Sequence, residues 1–510
     1  MSTPDRDSEL RPTNPFLIGG GAAKEGAPNR WRFQTLPKLA PSQQLFFLVL
    51  AAGMAVITAH IALNNSPRVA VALFAALLGG VVIFLRPFVG ILAYFVLAFL
   101  RPQDVFWGLE SVRLTFLTSL ATLGAFGIHL MFRPRLDFLR RWETLFLVVL
   151  WVSLWLSIHF GRYGEEESRW MSYYNKIFLT YFLVIALTDS ANRLRALSWI
   201  IAGSVGYLGY WANDQYFNQG VWVVQGPGFT LRDENDFAMF LAMSLPFMWY
   251  AARDAKHLVI KGGFLVLLVL TAHGVMLTYS RGGFLGMAAA MGYVALRERN
   301  RWLKVAMIAT AVAFYSMTAG ENYTDRIGTI DDYEEDGSAT GRLESWKTGG
   351  RMLADNPYFG VGLKRYVTAY PDYADSPLEK AREAHNSWVQ LAAESGSFAV
   401  LAYALLIAAS IASFVRVEKR LTSLPEERRQ IFRSLNQTYQ ATLLAYLVCG
   451  FFLSMEDQEF FYLLVALIQI LDRVSLQEVQ AAAVAALASA SDDAPPSATP
   501  PKRLAVSGSR

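Results

Sequence analysis

The chain has 510 residues, 54% of them hydrophobic and only 17% charged, with 13 Trp, 22 Tyr and 34 Phe. Ordinary soluble domains carry about 25% charged residues, so this composition excludes a soluble globular chain, and a net charge of +4 gives no reason to expect a nucleic-acid partner. The single cysteine, Cys449, excludes an intramolecular disulfide framework and a cysteine-based metal site.

Residues 1–44 are polar and rich in Pro and Gly, which predicts a disordered cytoplasmic tail without a cleavable signal peptide. About fourteen hydrophobic segments follow, beginning near 45, 69, 88, 112, 143, 175, 194, 237, 258, 282, 302, 386, 438 and 460. Runs such as "LFFLVLAAGMAVITAHIAL" and "FAVLAYALLIAASIASF" approach the ~20 residues that cross a bilayer. The third, sixth and fourteenth segments are short, so twelve full spans with partial insertions is an alternative. The predicted class is all-α: a polytopic membrane protein of about 12–14 transmembrane helices with one long periplasmic loop. Its parts are an N-terminal transmembrane bundle over 45–318, a large periplasmic loop over 319–385 and C-terminal transmembrane helices over 386–475. A disordered cytoplasmic tail over 476–510 completes it.

Orientation follows the arginines and lysines. Arg133, Arg135, Arg140 and Arg141, then Arg253 and Lys256, then Arg297, Arg299 and Arg301, then Arg416 to Arg433 alternate correctly if both termini are cytoplasmic. The opposite face then carries 219–236, the "YSRGG" turn at 279–283, and the 319–385 interval, which is long enough for a small folded cap.

Chemistry concentrates on that face. No P-loop and no His-Glu-x-x-His motif occurs. The only Asp-x-Asp is Asp5-Arg-Asp7 in the tail, so a metal-bound nucleotide-sugar site is not expected and any substrate must arrive already activated. Acidic "DDYEEDG" lacks the ligand spacing of a calcium loop and reads as solvated. Arg281 lies in a short turn between apolar helices, where it could snorkel to headgroups. Gly282 and Gly283 after it would let a ligand approach the start of a helix. Arg232 could pair locally with Asp233 or Asp236, and Arg342 could be an ordinary surface-helix arginine. His385 begins a stripe in "EAHNSWVQLAAESG": Asn386, Gln390 and Glu394 are four residues apart and share one helix face descending into an apolar run. Such a stripe is costly in lipid unless it faces something. Arginine suits bidentate phosphate binding, and imidazole suits proton abstraction near neutral pH. Together they suggest a phosphate-linked leaving group and a hydroxyl acceptor.

"TYSRGGFLG", "GRLESWKTGGRMLADNPYFGVGL" and "AHNSWVQLAAESG", in that order and spacing, resemble the O-antigen ligase and polymerase superfamily over about 226–400. "LRDENDFAMFLAMSLPF" adds Asn235 and Phe237, similar to the family's Asn-x-Phe-Ala opening of a span. "RPQDVFWGLE" and the overall layout look more like the O-glycosylation ligases associated with exosortase systems. The resemblance implies a glycosyltransferase of the bacterial inner membrane, using no metal or other cofactor. Its donor would be an undecaprenyl-diphosphate-linked glycan, and its acceptor a hydroxyl of a lipid, protein or polysaccharide at the periplasmic face. By position, His385 matches the family's loop histidine and Arg281 the arginine of its Ser-Arg-Gly motif. Arg232 follows less closely, because Glu234 stands where the family commonly has proline, so Arg232 and Arg342 both remain candidates for the second diphosphate ligand. Expected catalytic residues are His385, Arg281 and Arg232; expected substrate contacts are Arg342, Asn235, Asn386, Gln390, Glu394, Gly282 and Gly283. The alternatives are a polymerase joining carrier-linked repeats and, from another class, a membrane transporter, for which inverted halves are not visible.

Overall fold

The computed structural model describes residues 77–100, 114–132, 141–163, 168–227, 231–318, 337–375 and 380–492. Among these residues the chain is all helix and loop, with no strand. Residues 77–85 are helical, followed by α1 (Pro87–Phe95), which widens into a π-helical turn at Val96–Leu100, and α2 (Leu114–Phe132). Then come α3 (Trp142–Phe160), α4 (Ser168–Leu187), α5 (Ala191–Gln219), α6 (Glu234–Asp254) and α7 (Leu258–Leu277). The remainder is α8 (Arg281–Arg297), α9 (Arg301–Thr318), α10 (Gly337–Asp355), α11 (Tyr366–Tyr373), α12 (Ser387–Arg420), α13 (Glu426–Phe452) and α14 (Glu459–Asp492). The segments expected at 45 and 69 begin outside the described residues; every later one is a helix.

The protein is an all-α membrane protein. α3, α7 and α12 extended to Ser423 are long and apolar enough to cross a bilayer. α7 shows how a span differs from a core helix: Leu258 and Val259 are 83% and 86% exposed, an apolar outer face that suits lipid. α6 is the converse, apolar on all sides and buried from Phe237 to Met248.

Two boundaries differ from the sequence expectation. α13 starts at Glu426 rather than near 438, because Glu426 and Glu427 complement its dipole and Phe432 and Leu435 already reach the core. α14 continues to Asp492, so residues 476–492, expected as tail, are helical. Their alanine-rich sequence is a strong helix former. The cap expected within 319–385 contains α10 and α11, with 319–336 outside the described residues.

α12 is two helices joined at a break. Gly396 adopts φ 78° and ψ −176°, a region open only to glycine. The chain at 357–362 runs against this break: Val361 N–H donates to Ala393 O (2.9 Å), Gly362 N–H to Glu394 O (2.9 Å) and Ser397 N–H to Pro357 O (2.8 Å). Carbonyls that a continuous helix would use internally therefore anchor the cap.

At the far end of α12 a different device operates. Asp472 of α14, fully buried, takes charged hydrogen bonds from Arg141 (2.6 Å), Arg416 (3.1 Å) and Arg420 (2.6 Å). Buried Glu143 of α3 accepts from Arg416 (3.2 Å) and from Ser413.

Candidate active site

The N-terminus of α6, the α7–α8 turn, the 380–386 loop and the 453–458 turn meet at the end of the bundle opposite Asp472. Asp233 caps α6 by accepting from the N–H groups of Asn235 (2.8 Å) and Asp236 (3.3 Å). The Asn235 side-chain oxygen takes the Ser280 hydroxyl (2.7 Å), and Ser280 Oγ in turn accepts from Gly283 N–H (3.2 Å). Arg281 is thus the first residue of a capped helix whose positive dipole end favours an anion. Before it, Tyr279 is held at φ 54°. A side chain at Gly283 would overlap Ala238 of α6, while Gly282 lies against Leu453 (3.2 Å to an added Cβ). Both glycines are buried, and they pack α8 onto its neighbours.

His385 is half-buried in the left-handed region, at φ 46°. Backbone groups on both sides of it are tied down. Ser345 Oγ donates to Glu383 O (3.0 Å), Trp346 Nε1 donates to Ala384 O (2.8 Å), and Ala384 N–H donates to Gln390 Oε1 (2.9 Å). Asn386 then caps α12, accepting from Trp388 N–H (2.9 Å) and Val389 N–H (3.2 Å), while its Nδ2 donates to Phe451 O (3.1 Å). Non-glycine residues in this conformation are strained and persist only where their surroundings fix them.

Burial lowers the His385 pKa below the usual histidine value, and Arg342 lowers it further; Glu383 and Asp233 oppose, and Arg382 adds to the lowering. The surroundings thus favour the neutral ring, the state in which it accepts a proton. The structure thus gathers His385, Arg342 and the start of α6 at one place. Arg281 and Arg342 are half-buried, whereas Arg232 is exposed and, among the described residues, forms no ion pair with Asp233 or Asp236. Arg382 escapes notice in the sequence, where its only signal is its place three residues before His385. It packs over α10 so closely that a side chain at Gly341 would overlap its guanidinium.

The polar stripe faces protein. Asn386, Gln390 and Glu394 are 3%, 2% and 1% exposed, so the structure does not bring them to an open surface. Gln390 Nε2 donates to Glu394 Oε1 (2.5 Å), Ser454 Oγ donates to Gln390 Oε1 (3.1 Å), and Lys364 N–H donates to Glu394 Oε2 (2.9 Å). Lys364 Nζ reaches Glu456 (2.9 Å) and Asp457 (3.0 Å). Burial works against this ammonium, but Asp457, Glu456 and Glu394 outweigh it and hold the Lys364 pKa well above the usual lysine value. The charges in "GLKRY" and "SMEDQEF", each beside an apolar helix, are the signal by which these residues could have been found. Among the described residues no cluster of His, Cys, Asp and Glu is arranged to hold a metal ion.

Residues 264–404 match the family described as O-Antigen ligase, and residues 68–209 match a family of unknown function (DUF5935). The chain is also similar to the teichuronic acid biosynthesis protein TuaE of Bacillus subtilis (strain 168). The two are 22% identical over 271 residues, 51% of this chain, which spans about half of that relative's length (52%). The first match runs from α7 through the Ser280–Arg281 turn, α10 and the His385 loop into α12, and so covers the site except for the start of α6 and the 453–458 turn. These two similarities support the O-antigen ligase and polymerase superfamily for the part of the chain that carries the site.

Proposed function

We propose that the protein is a membrane glycosyltransferase that moves a glycan from an undecaprenyl diphosphate carrier to a hydroxyl acceptor at the periplasmic face of the inner membrane. The observation that carries this is a half-buried, conformationally fixed His385 beside Arg342 and Arg382 and the start of α6, which is itself hydrogen-bonded to the cap of the helix that starts with Arg281. In this reaction the acceptor oxygen bonds to the anomeric carbon, the bond from that carbon to the phosphate oxygen breaks, and the hydroxyl proton passes to His385. The electron pair leaves with the diphosphate. Arg281, with Arg232 or Arg342, stabilises the charge as it grows there. Attack opposite the leaving group gives inversion. An acceptor on a protein would make it an O-glycosylation ligase.

The name of the Bacillus relative, a polysaccharide biosynthesis protein, favours a second reading in which the acceptor is another carrier-linked glycan. Swapping acceptors separates the two. The test of the shared mechanism is transfer per folded protein in His385→Ala and His385→Gln, with binding of undecaprenyl diphosphate measured alongside. A general base predicts that both variants lose ~10²–10⁴ in transfer while binding persists. Near-normal transfer by His385→Gln would remove the base from the mechanism.

A further inference from the structure

Lys364, like Tyr279 and His385, is a non-glycine residue held in the left-handed region, at φ 56°. Its backbone and its side chain grip different parts of the site. Through its amide, Lys364 starts a chain of hydrogen bonds: N–H to Glu394, Glu394 from Gln390, Gln390 from the N–H of Ala384, the residue immediately before His385. Through its ammonium it holds Glu456 and Asp457, over the Trp170 ring (4.9 Å). The turn carrying those carboxylates closes back on the start of α12, where Met455 N–H donates to Ser387 Oγ (2.8 Å).

We propose that Lys364 is a positioning residue, clamping the 453–458 turn and the first turns of α12 together so that His385 faces the acceptor hydroxyl. The inference rests on His385 acting in transfer. One ammonium on two carboxylates, with Glu456 Oε2 buried and unpartnered, is a poor device for stability alone. Its hydrogen bonds end on the backbone that orients the histidine. A displacement of roughly 1 Å at that backbone can cost ~10²-fold in rate without touching the ligand.

The experiment uses the full chain in nanodiscs, with transfer per folded protein measured on the carrier-linked glycan that accumulates in a strain lacking the protein. Undecaprenyl diphosphate alone is the binding probe. Lys364→Met should lower transfer by ~10–10²-fold while changing probe binding by less than about threefold. Should Lys364→Met fail to fold, Lys364→Met with Glu456→Gln and Asp457→Asn removes both stranded carboxylates, restores folded protein and still loses transfer. A folded triple variant with wild-type transfer, or one that still fails to fold, overturns the positioning role. His385→Ala is run in parallel. Normal transfer there sinks the histidine mechanism itself, whereas an inactive His385→Ala beside a fully active Lys364→Met sinks the clamp alone.

Discussion

Replacing Asn386 by alanine removes two things at once. The cap on Trp388 N–H and Val389 N–H disappears, which typically costs about 1 kcal/mol. The Phe451 carbonyl also loses its donor; a part-buried hydrogen bond of this kind contributes about 0.5–1.5 kcal/mol net. Asn386→Ala should therefore destabilise the protein by about 1.5–2.5 kcal/mol. Asn386→Ser separates the terms: it can still cap the helix but is too short to reach Phe451, so it should recover about 1 kcal/mol relative to alanine. Reversible unfolding of purified protein in mixed micelles reads the difference, with transfer per folded protein measured on the same samples. Because the cap sits directly after His385, transfer should fall with stability in Ala and partly recover in Ser. If Asn386→Ala keeps wild-type stability and loses only transfer, the cap argument is wrong and Asn386 contacts substrate.

Burial is the larger cause of the low His385 pKa, and Arg342 adds to it, so Arg342→Gln should raise that pKa. A base works only while neutral, so activity disappears as pH falls through its pKa. The acid limb of a kcat/KM profile should consequently move to higher pH in Arg342→Gln and to lower pH in Glu383→Gln. Arg281→Lys, which cannot form a bidentate pair with diphosphate, should lose ~10²–10³ in transfer rate with protein still in the membrane. Gly396→Ala would force a side chain into a glycine-only conformation and onto the Tyr358 carbonyl; a loss of about 2–4 kcal/mol should show as a lower unfolding midpoint. Cysteines at Asp375 and Ser423 probe orientation. An impermeant thiol reagent on spheroplasts should label only the first, while buried Cys449 stays silent; labelling of Ser423 alone would invert the topology.

Much of the helix order was legible because apolar runs of span length admit few alternatives, and the starts expected from 88 onward all became helices. Boundaries were less legible where polar helix is packed, as at Glu426, since hydropathy marks lipid and core contact rather than hydrogen bonding. Within the site, His385 and Arg281 stood out because a histidine or arginine beside an apolar run is conspicuous. The fate of Gln390 and Glu394 did not. Their spacing predicts a shared face, but only the tertiary structure brings Lys364 and Ser454 across from segments distant in sequence. For Lys364 the sequence shows a charge beside acidic residues far along the chain, but its left-handed backbone and its pairing with Glu456 and Asp457 exist only in the folded protein.

The ion cluster at Asp472 ties three helix ends together. α12 runs about 36 Å from the Gly396 break to Arg420; its distal end is held to α14 by Arg416 and Arg420 on Asp472 and to α3 by Arg416 on Glu143, while Arg141 joins α3 to the same Asp472. Parting the helices there would strand a buried charge, at about 3–5 kcal/mol for each broken pair, which leaves the opened form well below one molecule in a hundred. This end of the bundle is thus held shut, and the histidine and arginine singled out for chemistry lie at the opposite end.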